Sequence, residues 1–139
     1  KKFAFVSQLE DAADHVTGIA NKARFTYWLS TFHYMKAISD TNCAWAGYNA
    51  AMALVKNDTA RAKTDGLAAR QALVANATDM ITHLQQTLTN VGELGTYMNI
   101  ESHSLLEALD ASALEGLGAI TPGDGSNAGV TLDSLVGKQ

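Results

Sequence analysis

The sequence predicts an all-α protein, an antiparallel bundle of three to four long helices followed by a loop-rich C-terminal tail. The chain of 139 residues contains one proline, Pro122, and the residues before it lack the strongest helix breaker. Apolar side chains recur at three- and four-residue steps, which is the spacing of one helix face. Glycines become frequent near the C-terminus. We therefore expect the bundle over residues 1–117 and the tail over residues 118–139.

The first helix is predicted over Phe3–Val16, where apolar residues recur at helical spacing. Thr17 and Gly18 are expected to end it, with Gly18 as a left-handed C-terminal cap. The second helix is predicted from Asn21 to Lys56, about 36 residues and near 54 Å if unbroken. It is apolar nearly all round, so we expect it to be buried nearly all round. A kink or short loop is an alternative within residues 39–43, where polar side chains compete for the backbone.

The third helix has the most regular repeat in the chain and is preceded by a turn and N-cap at Asn57-Asp58-Thr59. The repeat predicts a partner helix packed antiparallel at a shallow angle. Its heptad positions are Leu67, Val74, Ile81 and Leu88, with Ala77 and Leu84 between them and Leu73 and Met80 widening the face.

Asn90-Val91-Gly92 is expected to close the third helix. A fourth helix is predicted over Glu93–Leu109, although Gly95 leaves its first residue undetermined. A short turn of helix is expected from residue 110 to Leu117.

Composition and charge exclude several function classes. Charged residues make up 17% of the chain, below the roughly 25% of an ordinary globular protein, which favours a surface partly covered by a partner. The net charge is −4 and the ten basic residues are scattered, which argues against binding nucleic acid or an acidic lipid surface. No apolar run is long enough to span a bilayer.

A few residues bear on how the chain is processed and covalently modified. The single cysteine, Cys43, excludes an internal disulfide and is expected to be a small buried residue. Because the chain begins with Lys1, we interpret it as a processed or excised piece. Asn57 and Asn76 begin N-X-Thr sequons and are predicted glycosylation sites if the protein is secreted.

The four histidines do not form a recognised metal motif. Three acid–histidine pairs stand four residues apart, on one helix face each, but the Glu-x-x-His and HExxH signatures are absent. We therefore predict no metal and no cofactor. The three pairs are Asp11 with His15, Asp79 with His83, and His103 with Glu107.

A complete catalytic apparatus is also missing from the sequence. Glycoside hydrolysis needs two carboxylates that flank one sugar bond. Acids near the fourth helix are spaced as on a solvated face, and no serine lies in a glycine-flanked elbow. The acids are Glu93, Glu101, Glu107 and Asp110.

Candidate substrate-binding or interface residues are Trp28 and Trp45 together with Glu93, Tyr97, Asn99 and His103. The tryptophan faces could stack on sugar rings, although aromatic residues at helical spacing more often belong to the core. The polar group at residues 93–103 follows two glycines, and it can form the edge of a site or fasten the bundle to a neighbour. Arg24 and Lys22 could anchor an acid from a neighbouring domain.

Three segments, Arg24–Met35 (RFTYWLSTFHYM), Cys43–Trp45 (CAW) and Gly92–His103 (GELGTYMNIESH), resemble the helical C-terminal region of agarase-like glycoside hydrolases of bacteria and fungi. The resemblance covers roughly residues 15–110 and implies a secreted polysaccharide hydrolase, with a (β/α) barrel upstream that carries the catalytic carboxylates. The helices of this chain would pack on that barrel, and polysaccharide is a candidate ligand. The alternative is a free-standing helical bundle for protein–protein interaction or self-assembly.

Overall fold

The computed structural model describes residues 2–88, 91–99 and 112–120. Over these residues the chain forms helices and no strand, which confirms the all-α class. Two of the helices are long, α2 with 34 residues and α3 with 29 residues. The helices are α1 (Phe5–Ala13), α2 (Ile19–Met52), α3 (Thr59–Thr87), α4 (Val91–Asn99) and α5 (Ser112–Gly116). The predicted tail lies almost entirely outside the described residues.

The connection between α1 and α2 differs from the sequence prediction. Helix α1 ends three residues before Val16, and its C-cap is Asp14 in the right-handed helical conformation. Gly18 has φ +82° and directly precedes α2, where its carbonyl accepts a hydrogen bond from the Lys22 N–H at 2.9 Å. The prediction of Gly18 as the C-cap of α1 is therefore wrong. Its backbone freedom is used to start α2.

Helix α2 is continuous through residues 39–43, so the alternative of a break in this segment is not realised. The Asn42 side-chain amide donates a hydrogen bond to the Ile38 carbonyl one turn earlier, at 3.0 Å, and so does not interrupt the helix. The expectation that α2 is buried nearly all round is wrong, because Trp28 is 57% and Met35 47% exposed. Its neighbours α3 and the short α1 cover only part of its circumference.

Helix α3 begins at the predicted N-cap. The Asp58 carboxylate accepts a hydrogen bond from the Arg61 N–H at 3.0 Å, which satisfies one of the free amides of the first turn. The helix ends at Thr87. Val91 and Gly92 belong to α4, so the prediction that they close the third helix is wrong.

Helices α2 and α3 pack together along their length. Ser30 contacts Gln86, the Asp40 carbonyl accepts from the Asn76 amide, and residues later in α2 therefore meet residues earlier in α3. The buried face of α3 includes the predicted heptad position Ile81, whereas Val74 and Leu88 are only partly buried. Its buried side chains include Leu73, Ala77, Ile81 and Leu84, which join Ala37, Met80 and Tyr97 in one core cluster.

The short helices α4 and α5 attach to α3. Tyr97 of α4 is 3% exposed, and its hydroxyl accepts a hydrogen bond from the Gln85 amide at 3.3 Å. Leu114 of α5 is fully buried beside Gly66 of α3. The absence of a side chain at residue 66 allows Leu114 and Met52 to approach the helix backbone.

We predict opposite packing consequences for two glycine substitutions. Both Gly47→Ala and Gly66→Ala gain about 1 kcal/mol of helix propensity. An added Cβ at Gly47 meets nothing within 4 Å, whereas one at Gly66 collides with the Met52 methyl and lies 3.0 Å from Leu114 Cδ2. In urea unfolding we expect Gly47→Ala to stabilise the protein and Gly66→Ala to forfeit that gain. Equal gains would show that the contact of α5 with α3 is loose.

Candidate functional site

An exposed apolar cluster lies where α1 crosses the first half of α2. We define this aromatic surface as Phe5, Trp28, Phe32 and Met35. The Phe5 and Phe32 rings meet edge to face with centroids 5.2 Å apart, and the Trp28 ring lies 6.4 Å from Phe32. Trp28, Met35 and Phe5 are 57%, 47% and 38% exposed. Exposed large apolar side chains grouped in this way make the cluster a candidate binding surface.

A shallow groove of about 470 Å³ adjoins Trp28. On its wall the Arg24 guanidinium donates to the Asn21 side-chain oxygen at 3.4 Å and to the Ala20 carbonyl at 3.3 Å. Within the part of the chain that the structure describes, the ion pairs do not include Arg24. The groove therefore offers an exposed indole beside a cation. It is lined by Val16, Thr17, Asn21, Arg24, Phe25 and Trp28.

The structure does not bring the two candidate tryptophans together. Trp45 is half-buried against the core cluster. It lies 17 residues after Trp28 on the same helix, about 25 Å along the axis. Tyr34 also packs against the core, and burial raises its pKa above the ordinary value for tyrosine.

The other candidate residues lie on or beyond α4. Glu93 is in its first turn, Tyr97 faces the core and Asn99 is exposed at its last residue. Leu94 and Met98 lie on the outer side of α4 and are 46% and 44% exposed. His103 lies outside the described residues, as do Glu101, Glu107 and Asp110.

A second cluster, which we call the histidine junction, joins α1, α2 and α3. It consists of Glu10, His33, Asp79 and His83. The two imidazole rings stack with centroids 4.7 Å apart and planes 10° from parallel. His33 Nε2 lies 3.1 Å from Glu10, and His83 Nε2 lies 3.3 Å from Asp79. The Asp79–His83 spacing indicated this one-face pair, but nothing in the sequence linked Glu10 to His33.

A lysine adds positive charge beside the histidine junction. The Lys36 ammonium donates a hydrogen bond to Asp40 at 2.6 Å, and this bond raises the pKa of Lys36. The negative charges of Asp79 and Glu10 act in the same direction. Partial desolvation opposes them.

The metal-ligand possibilities are limited. Among residues 2–88, 91–99 and 112–120, no group of three or more histidine, cysteine or acidic side chains is arranged to hold a metal ion. In the Asp11–His15 pair the imidazole contacts the backbone and not the carboxylate: His15 Nδ1 lies 3.3 Å from the Asp11 backbone carbonyl oxygen.

Cys43 is exposed on α2, so the expectation of a buried cysteine is wrong. The helices packed on α2 cover only part of its circumference and leave this residue exposed.

The two sequons differ in their surroundings. Asn57 is exposed between α2 and α3. Asn76 is half-buried, and its amide nitrogen, the atom that a glycan would modify, donates to the Asp40 carbonyl at 3.4 Å. A glycan fits Asn57, whereas at Asn76 it would disturb the packing of α2 on α3.

Comparisons of the chain with protein-family models, with curated proteins and with solved structures each find no match. None of the helices in the described ranges is long and apolar enough to cross a membrane.

We predict selective modification when the chain is expressed through a eukaryotic secretory pathway. Mass spectrometry of peptides is expected to find the glycan on Asn57 and not on Asn76. Thr59→Ala should abolish the modification, and the matched control Thr78→Ala should leave it unchanged. A glycan on Asn76 in the folded protein would contradict the assignment.

Proposed function

We propose that the chain is the helical portion of a secreted, polysaccharide-degrading glycoside hydrolase of the agarase-like kind. In this proposal it packs against a catalytic barrel carried elsewhere in the same protein or on a second chain. The resemblance of three segments to such hydrolases supports the identity of the parent. The observation that carries the docking role is the exposed aromatic surface.

The physical argument for docking is the cost of leaving this surface in water. Fully burying one large apolar side chain contributes about 1.5–3 kcal/mol. Trp28 and Met35 are each about half exposed, so covering both contributes on the order of 2 kcal/mol. A partner that also covers Phe5 and the groove gains further apolar contact. The proposed partner surface is therefore apolar.

Arg24 adds a polar requirement to that surface. Its guanidinium lines the groove four residues before Trp28, so both side chains lie on one face of α2. A guanidinium that loses water on docking needs a hydrogen-bond acceptor, and a carboxylate accepts two parallel bonds from it. The partner surface is proposed to place an acidic side chain beside its apolar contact.

For the fold, we propose the antiparallel bundle of three to four long helices that the sequence predicts. The contacts between α2 and α3 support antiparallel packing of the first pair. Helix α4 extends this arrangement with Tyr97 in the shared core.

The alternative is a free-standing helical bundle that associates with other proteins or with copies of itself. The exposed outer side of α4 favours it, because a second apolar stripe is available besides the aromatic surface. This stripe consists of Val91, Leu94 and Met98, which are 84%, 46% and 44% exposed. A symmetric homo-oligomer in sedimentation would support this alternative, whereas co-purification with a larger, different chain would support the hydrolase.

The docking role predicts that Trp28→Ser changes association and leaves folding intact. We expect the isolated wild-type chain to sediment as a concentration-dependent mixture of monomers and oligomers. The reason is that association buries the exposed aromatic surface. Trp28→Ser should shift it toward the monomer and change the free energy of unfolding by less than about 0.5 kcal/mol.

Trp45→Ser is the matched control. It removes a half-buried core contact, so it should cost about 2 kcal/mol or more of stability and leave association unchanged. A wild-type chain that stays monomeric at every concentration, with Trp28 shielded from acrylamide, would contradict the docking role.

The hydrolase identity has a separate test in the complete reading frame of the gene. An adjoining segment of alternating strands and helices, with barrel length, is expected. A reading frame without it would refute a barrel in the same polypeptide, and the absence of a co-purifying barrel chain as well would refute the hydrolase and leave the self-associating bundle.

A further inference from the structure

A line of side chains at heptad spacing runs along one side of α2. Its members are separated by four and three residues in alternation, which is the period at which helices pack in a coiled coil. Ala37, which belongs to the core cluster shared with α3, precedes Ser39 of this line by two residues, about 200° around the axis. The line therefore lies opposite the buried side of α2. We call it the outer seam: Trp28, Phe32, Met35, Ser39, Asn42, Ala46, Asn49 and Ala53.

The outer seam is largely in contact with water. Phe32 and Ser39 are partly buried, and the other six side chains are exposed. A helix on the surface of a globular protein ordinarily turns polar and charged residues toward solvent. The outer seam has no charged side chain, and residues 41–55 contain none at all. This side of α2 therefore has the composition of a helix–helix contact.

Bulky and small side chains are segregated along the outer seam. The three bulky apolar members, Trp28, Phe32 and Met35, come before Ser39 and belong to the aromatic surface. After Ser39 the seam consists of alanines and asparagines. Because α2 is one uninterrupted helix of 34 residues, both halves lie along one rod. A bulky half followed by a small half fits the same surface turned end for end.

Packing decides between the two orientations that a pair of such helices could adopt. In a parallel pair identical residues face each other, so two Trp28 rings would hold the helices apart at one end and leave a gap between the alanines at the other. An antiparallel pair combines one bulky and one small side chain at each of the outer levels, which fills the space evenly. The facing pairs are Trp28 with Ala53, Phe32 with Asn49, Met35 with Ala46, and Ser39 with Asn42.

We propose that the outer seam is the interface of an antiparallel dimer of this chain, with its two-fold axis between Asp40 and Thr41. A two-fold interface uses the same surface on both copies, which a self-complementary seam provides. The proposal rests on the proposed function in one respect, that the aromatic surface is a binding surface. It assigns that surface to a second copy when the chain is alone.

Electrostatics permit this contact. Lys36 and Asp40 are the charged residues beside the seam, and they pair with each other within one copy at 2.6 Å. A second copy therefore brings no unpaired charge of the same sign onto the seam. The two polar side chains nearest the axis, Ser39 and Asn42, face each other, and polar residues at seam positions fix the register of paired helices.

The size of the interface sets the strength of the dimer. From Trp28 to Ala53 the seam is roughly 38 Å long, and a helix is about 10 Å wide, so each copy contributes a strip of about 400 Å². Stable complexes bury about 800 Å² on each partner. The dimer is therefore weak and concentration-dependent, with a dissociation constant on the order of 100 μM.

Disulfide trapping tests the orientation and the register. The variant is Met35→Cys with Ala46→Cys, in a chain whose own cysteine is removed by Cys43→Ser. Within one copy the two introduced cysteines are about 16 Å apart along α2, too far for a disulfide. Oxidised glutathione should therefore produce a covalent dimer, in which mass spectrometry finds the peptide of position 35 joined to that of position 46.

The two single-cysteine chains are the matched controls. Met35→Cys with Cys43→Ser, and Ala46→Cys with Cys43→Ser, should stay uncrosslinked, because equivalent positions are about 16 Å apart along an antiparallel pair. A disulfide between identical positions in either control would show parallel pairing and overturn the proposal.

Sedimentation equilibrium of exposed-site variants tests the fit of bulky to small side chains. Ala46→Phe places a ring opposite Met35, and we expect it to raise the dissociation constant of the dimer at least about tenfold. Ala68→Phe adds the same ring at an exposed position of α3 and should leave the constant unchanged. Equal effects of the two substitutions would overturn the proposal.

Failure of the dimer and failure of the docking role give different results. A wild-type chain that stays monomeric at every concentration would overturn both. A wild-type chain that associates, and whose association Trp28→Ser reduces, without a disulfide between the introduced cysteines would overturn the antiparallel dimer and leave the docking role standing.

Discussion

Burial of one narrow stripe of side chains between α2 and α3 holds the rest of the structure in place. Leu73 and Ile81 are fully buried, and Ala37 and Ala77 are small enough to let the two helix backbones come close. Single turns of helix such as α5 are too short to be stable in water by themselves. Helices α1, α4 and α5 therefore depend on the surface that the long pair provides.

The sequence was a good guide where a pattern is local and a poor one where two distant segments meet. Heptad spacing predicted α3, and the Asp58 cap was found from residue type alone. Gly92 and Gly95 were expected to mark a turn and an uncertain start, yet both are helical, since burial of Tyr97 outweighs the cost of about 1 kcal/mol per glycine. The exposure of Cys43 was missed because composition does not reveal which side of α2 remains uncovered.

The candidate sites were likewise predictable where residue type or local spacing was enough, and unpredictable where two distant segments meet. Trp28 was singled out from its residue type, and its exposure depends on where α1 and α3 leave α2 bare. The contact of Glu10 with His33 joins residues on different helices, and their separation in sequence carries no signal until α1 is packed. The two clusters are adjacent along α2, since Phe32 and His33 are neighbours. The exposed aromatic surface and the histidine junction thus share one turn of helix.

The uninterrupted course of α2 from Ile19 to Met52 has a consequence for changes in chain length. Each residue of an α-helix advances the direction of the side chains by about 100°. If one residue were inserted near Asn42 and Met52 kept its contact with Gly66, Trp28 would turn away from its present direction. If Trp28 kept its direction, Met52 would lose that contact. Insertions of about seven or about eleven residues nearly restore the phase. The directions of the side chains at the two ends of α2 are therefore coupled, and natural or engineered variants can lengthen the helix only by whole numbers of turns that keep this phase.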